Sequence, residues 1–201
     1  MRLRRLLSAT LLALVPLALV PFAQPAEVSA QAKEVTGVFT INKTPAPLTN
    51  AYAFARRSGS GADNGVLLLF TSAPVPPDAI RGYMNNSWWN TKALAGELTA
   101  IEVIVSIPEH LQEARAAGGK RNCCQVNFYD KRIITEDKGL SISGTQALTL
   151  TQAPAGRIAG RIMLPETKNA PNFGNGTTLA YDLTFDTKLL TAPSFRGPWA
   201  D

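Results

Sequence analysis

Two adjacent cysteines, Cys123-Cys124, are the residues whose spacing is hardest to explain without chemistry. Exported proteins ordinarily pair cysteines across a loop. Neighbours in sequence allow an eight-membered ring, a bond to another chain, or no bond at all. The functional readings are a redox-active or ligand-gripping vicinal disulfide and a disulfide-linked dimer; the plain one is a buried strand cysteine beside an incidental thiol. His110 with Glu113 spells H-x-x-E, which sets both side chains on one helix face. A zinc site needs further ligands. Cys123 or Cys124 is the candidate for one, against the simpler reading of a solvated helix face. His110 is the chain's single histidine, so a nucleophile-His mechanism has one base and no nucleophile motif beside it. The stretch from Gly139 to Gly144 does not spell G-x-S-x-G, and no phosphate-binding loop is present. No cofactor, metal site or catalytic residue is assigned on this basis.

Carboxylates alone could support glycoside hydrolysis. Glu97, Glu102, Asp182 and Asp186 lie on or beside strand-like segments and are the candidates, although wet strand faces carry carboxylates for solubility alone. The segment from Tyr83 to Asn90 concentrates rings and amides. Tyr83, Asn85, Asn86, Trp88, Trp89 and Asn90 form the expected ligand-binding surface, with rings to stack on a sugar or anchor a protein partner. In the competing structural reading, one tryptophan plugs the core and the other caps its edge.

The elements that position these residues follow a period of two. Leu98 to Ile107, Ile158 to Leu164 and Leu179 to Phe185 alternate apolar and polar residues, the mark of strands with one buried face. Weaker strand patterns span 35–42, 50–56, 66–71, 124–129 and 145–151. Turn clusters separate them at 58–61, 63–65 and 172–176. If the last two strong strands are neighbours, Arg157 and Arg161 meet Asp182 and Asp186 on the wet face, an arrangement that fixes register. Pro77 opens a short helix to about Met84. Pro108-Glu109 opens another, with Arg115 late and Gly118-Gly119 as its stop. Eight short strands argue for an antiparallel sandwich or barrel. The expected fold is a mainly β chain: an antiparallel β-sandwich, immunoglobulin-like or related, with one or two short helices between strands.

Composition narrows the partners. Hydrophobic residues at 45% and charged residues at 17% describe a chain able to fold, and its mean hydropathy is 0.00. Residues 1–30 read as a cleaved signal peptide: Arg2, Arg4 and Arg5, an apolar run from Leu6 to about Val20, then Val28-Ser29-Ala30. That run is short and broken by Pro16, so no transmembrane segment is expected in the mature chain. Residues 31–201 are expected to form a single domain, exported by the secretory pathway to the periplasm or medium. Removing the leader lowers the net charge from +5 to +3. The basic pairs Arg56-Arg57, Lys120-Arg121 and Lys131-Arg132 are dispersed, which argues against a nucleic-acid partner.

The segments Ser141-Ile142-Ser143-Gly144-Thr145, Gly156-Arg157-Ile158-Ala159-Gly160-Arg161-Ile162, Asn172-Phe173-Gly174 and Tyr181-Asp182-Leu183-Thr184-Phe185 resemble those of a group of uncharacterised exported bacterial proteins. Asn42-Lys43 with Tyr52-Ala53-Phe54-Ala55 fits the same group more loosely, and the resemblance as a whole covers about half of the mature chain. The resemblance implies an all-β domain and carries no activity; the double cysteine and Trp88-Trp89 are not among its features. The expected function is a non-catalytic binding or interaction module contacting an envelope protein or surface glycan. The rivals are a carboxylate-dependent hydrolase of envelope polymers and a vicinal-cysteine sensor of redox state or metal.

Overall fold

The alternating segments become the strands of one sheet in a computed structural model, which describes residues 35–57, 63–81, 87–105, 108–134, 140–151, 153–168 and 177–191. In chain order the elements are β1 (Thr36–Ile41), β2 (Thr44–Pro45), β3 (Asn50–Arg57), β4 (Asp63–Thr71), α1 (Pro77–Arg81), α2 (Ser87–Leu94), β5 (Ala100–Val105), α3 (Pro108–Arg115), β6 (Lys120–Tyr129), β7 (Leu140–Thr151), β8 (Arg157–Lys168) and β9 (Thr178–Thr191). The segment expected to be a leader, residues 1–30, lies outside the described residues. No helix among the described residues is long and apolar enough to cross a membrane.

The sheet closes on itself, so the expected sandwich is corrected to a seven-stranded barrel. Strands β3 to β9 pair in sequence, each antiparallel to the next. The ring is completed by a parallel seam in which Ala53 of β3 meets Leu189 of β9. β9 has 14 residues. Its first half pairs with β1, and its last residues pair with β3 on the same flank. Period-two burial does not separate the two architectures, because a barrel and a sandwich both bury one face of each strand.

Side chains fill the barrel. Phe39 and Phe128 stack at 6.1 Å between ring centroids, Tyr181 lies 6.0 Å from Phe128, and Phe70 lies 5.4 Å from Phe185. A second apolar core lies outside the barrel wall, where Tyr52, Phe54, Leu67, Leu69 and Ala100 pack against Ile80, Trp89 and Ala93 from the helices. This explains the unbroken run Val66-Leu67-Leu68-Leu69-Phe70. Val66, Leu68 and Phe70 belong to the inner core, Leu67 and Leu69 to the outer one.

The outer face of β8 and β9 is held by ion pairs. Arg157 Nη2 donates to Asp186 at 2.6 Å, and Arg161 Nε donates to Asp182 at 2.6 Å. The sequence pattern anticipated both pairs. Each runs diagonally across the ladder, since Ala159 faces Asp186 and Met163 faces Asp182.

After β6 the chain turns at Asp130, whose buried carboxylate accepts from Thr99 Oγ1 at 2.6 Å, Arg132 N at 2.9 Å and Arg132 Nε at 2.8 Å. Burial pushes its pKa up, but the bonds from Arg132 and Thr99 outweigh this and hold it below the ordinary value. A depressed folded-state pKa contributes stability above the ordinary carboxylate range, lost as pH falls through the lowered value. Asp130→Asn is therefore expected to destabilise at neutral pH, with its deficit against wild type shrinking below about pH 4. Urea midpoints of both proteins across this range check it; a deficit that does not change with pH would refute the role given to the charge.

Candidate functional site

Of the residues expected to bind ligand, the described ones, Trp88, Trp89 and Asn90, are buried or half-buried. Tyr83, Asn85 and Asn86 lie outside the described residues. Trp89 is wholly buried at 0% exposure and Asn90 is at 8%, whereas Trp88 lies half-buried at the margin of the outer core. An enclosed ring offers no face for a sugar or partner, so Trp89 is corrected from contact residue to core residue. Its position follows from α2, whose inward residues Trp89 and Ala93 are one helical turn apart.

The carboxylates proposed for hydrolysis are scattered, each with its own partner. Glu97 pairs with Lys92 at 2.6 Å. Glu102 accepts from Asn127 at 2.6 Å and from the Tyr129 hydroxyl at 3.1 Å on the outer face of β5. Asp182 and Asp186 pair with the arginines of β8, and β3 and β4 separate β9 from β5 in the ring. Glu113 pairs with Lys120, whose hydrogen bond, helped by charge from Lys120 and His110, draws its pKa down. Among the described residues no three His, Cys, Asp or Glu side chains come together as a metal site.

Cys123 and Cys124 are joined to each other, with Cα atoms 3.7 Å apart. Cys123 is buried in the barrel core and Cys124 is half-buried against it. The ring sits in an irregular stretch of β6. Arg121 faces Ala147 and Gln125 faces Ser143, and between them the ladder slips out of register and returns. Cys124 takes φ +72°, a left-handed conformation that non-glycine residues rarely adopt. The Gln146 amide of β7 donates to its carbonyl, which serves in place of a regular ladder bond.

A cleft of about 320 Å³ opens at the barrel mouth, lined by Arg115 of α3, Leu150 and Thr151 of β7, Ala153, and Arg157 and Ile158 of β8. It is a concave site, among the described residues, that sequence reasoning missed. Arg115 read as a late-helix cation complementing the dipole, and Arg157 as half of a cross-strand pair. Only the fold brings α3 to the β7–β8 hairpin. Among the described residues the exposed Arg115 makes no ion pair. Arg157 gives Nε and Nη2 to Asp186, leaving its Nη1 uncommitted. Leu150 and Ile158 supply an apolar wall beside these donors, at 6% and 5% exposure.

Aromatic rings pack together in the barrel interior. The Tyr181 hydroxyl there has no hydrogen-bond partner among the described residues, and burial raises its pKa so that it stays protonated. No protein-family model, curated protein or solved structure matches this chain.

Proposed function

We propose that the chain is an exported, non-catalytic binding module that holds a small anionic, partly apolar ligand at the mouth of its barrel. The carrying observation is the cleft itself, in which an unpaired guanidinium stands beside an apolar wall. A guanidinium favours phosphate or carboxylate because its planar donors match two oxygens at once. The apolar lining favours a ligand that brings hydrocarbon with its charge. Asp186 offsets the charge of Arg157, so the electrostatic discrimination falls on Arg115. The segment Arg2 to Ala30, with its basic start and apolar run, supports export. The contact expected around Trp88 and Trp89 moves, in this reading, to the opposite kind of site: concave, cationic and framed by α3.

Calorimetric titration of residues 31–201 with octyl phosphate, and with octanol as its uncharged counterpart, tests this. Octyl phosphate is expected to bind more tightly, with an affinity that falls as salt screens the exposed charge. Arg115→Ala lies on an exposed helix position and is expected to keep the fold while weakening octyl phosphate about tenfold or more, the loss of a charge-assisted hydrogen bond. Equal binding of the two probes, or an unchanged affinity in Arg115→Ala, would overturn the assignment.

A further inference from the structure

We propose that the Cys123–Cys124 disulfide sets the affinity of the barrel-mouth site, the oxidised chain binding its anionic ligand and the reduced chain binding it poorly. This rests on the binding reading above. Both flanks of the irregular stretch keep the same pairing, Lys120 facing Leu148 and Phe128 facing Leu140, so the deviation is confined to the stretch between Arg121 and Gln125 that holds both cysteines. An irregularity of this kind bends its strand and increases local twist. Here the bent strand begins at Lys120, five residues after the end of α3.

Two contacts carry that bend to the cleft. Lys120 pairs with Glu113 of α3, tying the helix to the start of β6. Gly119, at φ +66°, approaches β7 so closely that an added Cβ would stand 2.3 Å from Thr149 Oγ1 and 2.6 Å from the Leu148 carbonyl. A change in the direction of residues 120–122 therefore presses Gly119 on Leu148 and Thr149, next to the Leu150 that lines the cleft, and the Lys120–Glu113 pair carries it to α3, whose Arg115 lines the same cleft.

The ring is what holds Cys124 in its left-handed conformation. For an ordinary L residue that conformation is disfavoured by about tenfold against the extended one. Without the sulfur–sulfur bond, Cys124 relaxes toward extended backbone and the β6–β7 ladder becomes regular through this stretch. The reductant is a dithiol. One of its thiolates attacks Sγ of Cys124, the less buried sulfur, and displaces Cys123 as a thiolate, which takes up a proton. The second thiol of the reductant then attacks the mixed disulfide and releases the Cys124 thiol. Two electrons and two protons pass to the cysteine pair, and the reductant leaves as its own disulfide.

Octyl phosphate titrations of the oxidised chain and of the chain reduced with dithiothreitol test this, with circular dichroism on each sample. Reduction is expected to weaken binding about tenfold while the β spectrum is kept. The variant Cys123→Ala with Cys124→Ala is expected to bind like the reduced chain. Cys123→Ala with Cys124→Gly is expected to recover most of the oxidised affinity, because glycine adopts positive φ without a ring. Equal, Arg115-dependent affinities in the oxidised and reduced chains would overturn the redox control and leave the binding site standing. Absence of Arg115-dependent binding in both forms would overturn both. Unfolding on reduction would make the disulfide a structural brace and also refute the proposal.

Discussion

Trp89→Ala is expected to remove about 3–5 kcal/mol of folding stability, the cost of emptying a buried indole site. That is a large part of the roughly 5–15 kcal/mol available to a domain. Trp89 is wholly enclosed, with Tyr52, Phe54, Leu67 and Leu69 of the barrel wall and Ile80 of α1 in the same cluster. Tyr52 also fixes the chain between β4 and α1, its hydroxyl accepting from Val75 N at 3.0 Å. Deleting the indole therefore loosens the helices from the wall as well as leaving a void. Trp88→Ala, at the half-buried margin of the same cluster, is expected to cost about 1 kcal/mol, an ordinary single-site effect. Urea unfolding followed by circular dichroism separates the two. A Trp89→Ala protein within about 1 kcal/mol of wild type would show that the outer core does not depend on the indole. The same contrast decides how binding data on this segment are read: lost association in Trp89→Ala reports damage to the fold, whereas in Trp88→Ala it would report a contact.

The legible parts of this molecule are those governed by short-range periodicity. Strands β5, β8 and β9 followed from alternation, and the pairing of Arg157 with Asp186 and Arg161 with Asp182 followed from placing β8 beside β9. α1 and α3 followed from proline at the first turn. α2 did not, because its eight residues carry only a one-turn apolar pair facing inward, Trp89 and Ala93, behind a turn-like Asn85-Asn86-Ser87. Closure was not legible either. It depends on three contacts between Ala53–Ala55 and Leu189–Thr191, more than 130 residues apart in sequence, and no local pattern encodes them. The cleft inherits that opacity, since Arg115 and Arg157 meet only after the ring forms. The cysteine pair could be seen, but its bonded state depends on a backbone conformation that composition does not reveal.

Gly160→Ala is expected to cost about 3 kcal/mol or more, at or above the usual upper end of overpacking penalties. Two effects compete at this position. Glycine inside a strand is ordinarily a weakness, so alanine would gain about 0.5–1 kcal/mol if the site were open. It is not open: a Cβ at Gly160 would stand 2.3 Å from the Thr149 carbonyl and 3.1 Å from Leu150 Cα, both backbone atoms of β7. Backbone held in a ladder does not swing aside as a side chain tip would, so the clash outweighs the propensity gain. Gly160 is paired with Leu150 on one side and Phe185 on the other, between two neighbouring strands of the closed sheet. Glycine inside a strand is the usual device where another backbone approaches this closely. The added methyl group would also press on Leu150 Cδ2, 3.2 Å away, which lines the ligand cleft. The substitution is therefore expected to lower the urea midpoint and to weaken octyl phosphate together, even under conditions where the variant stays folded. A Gly160→Ala chain as stable as wild type would mean that β7 yields without cost, and that closure of the barrel does not depend on this approach.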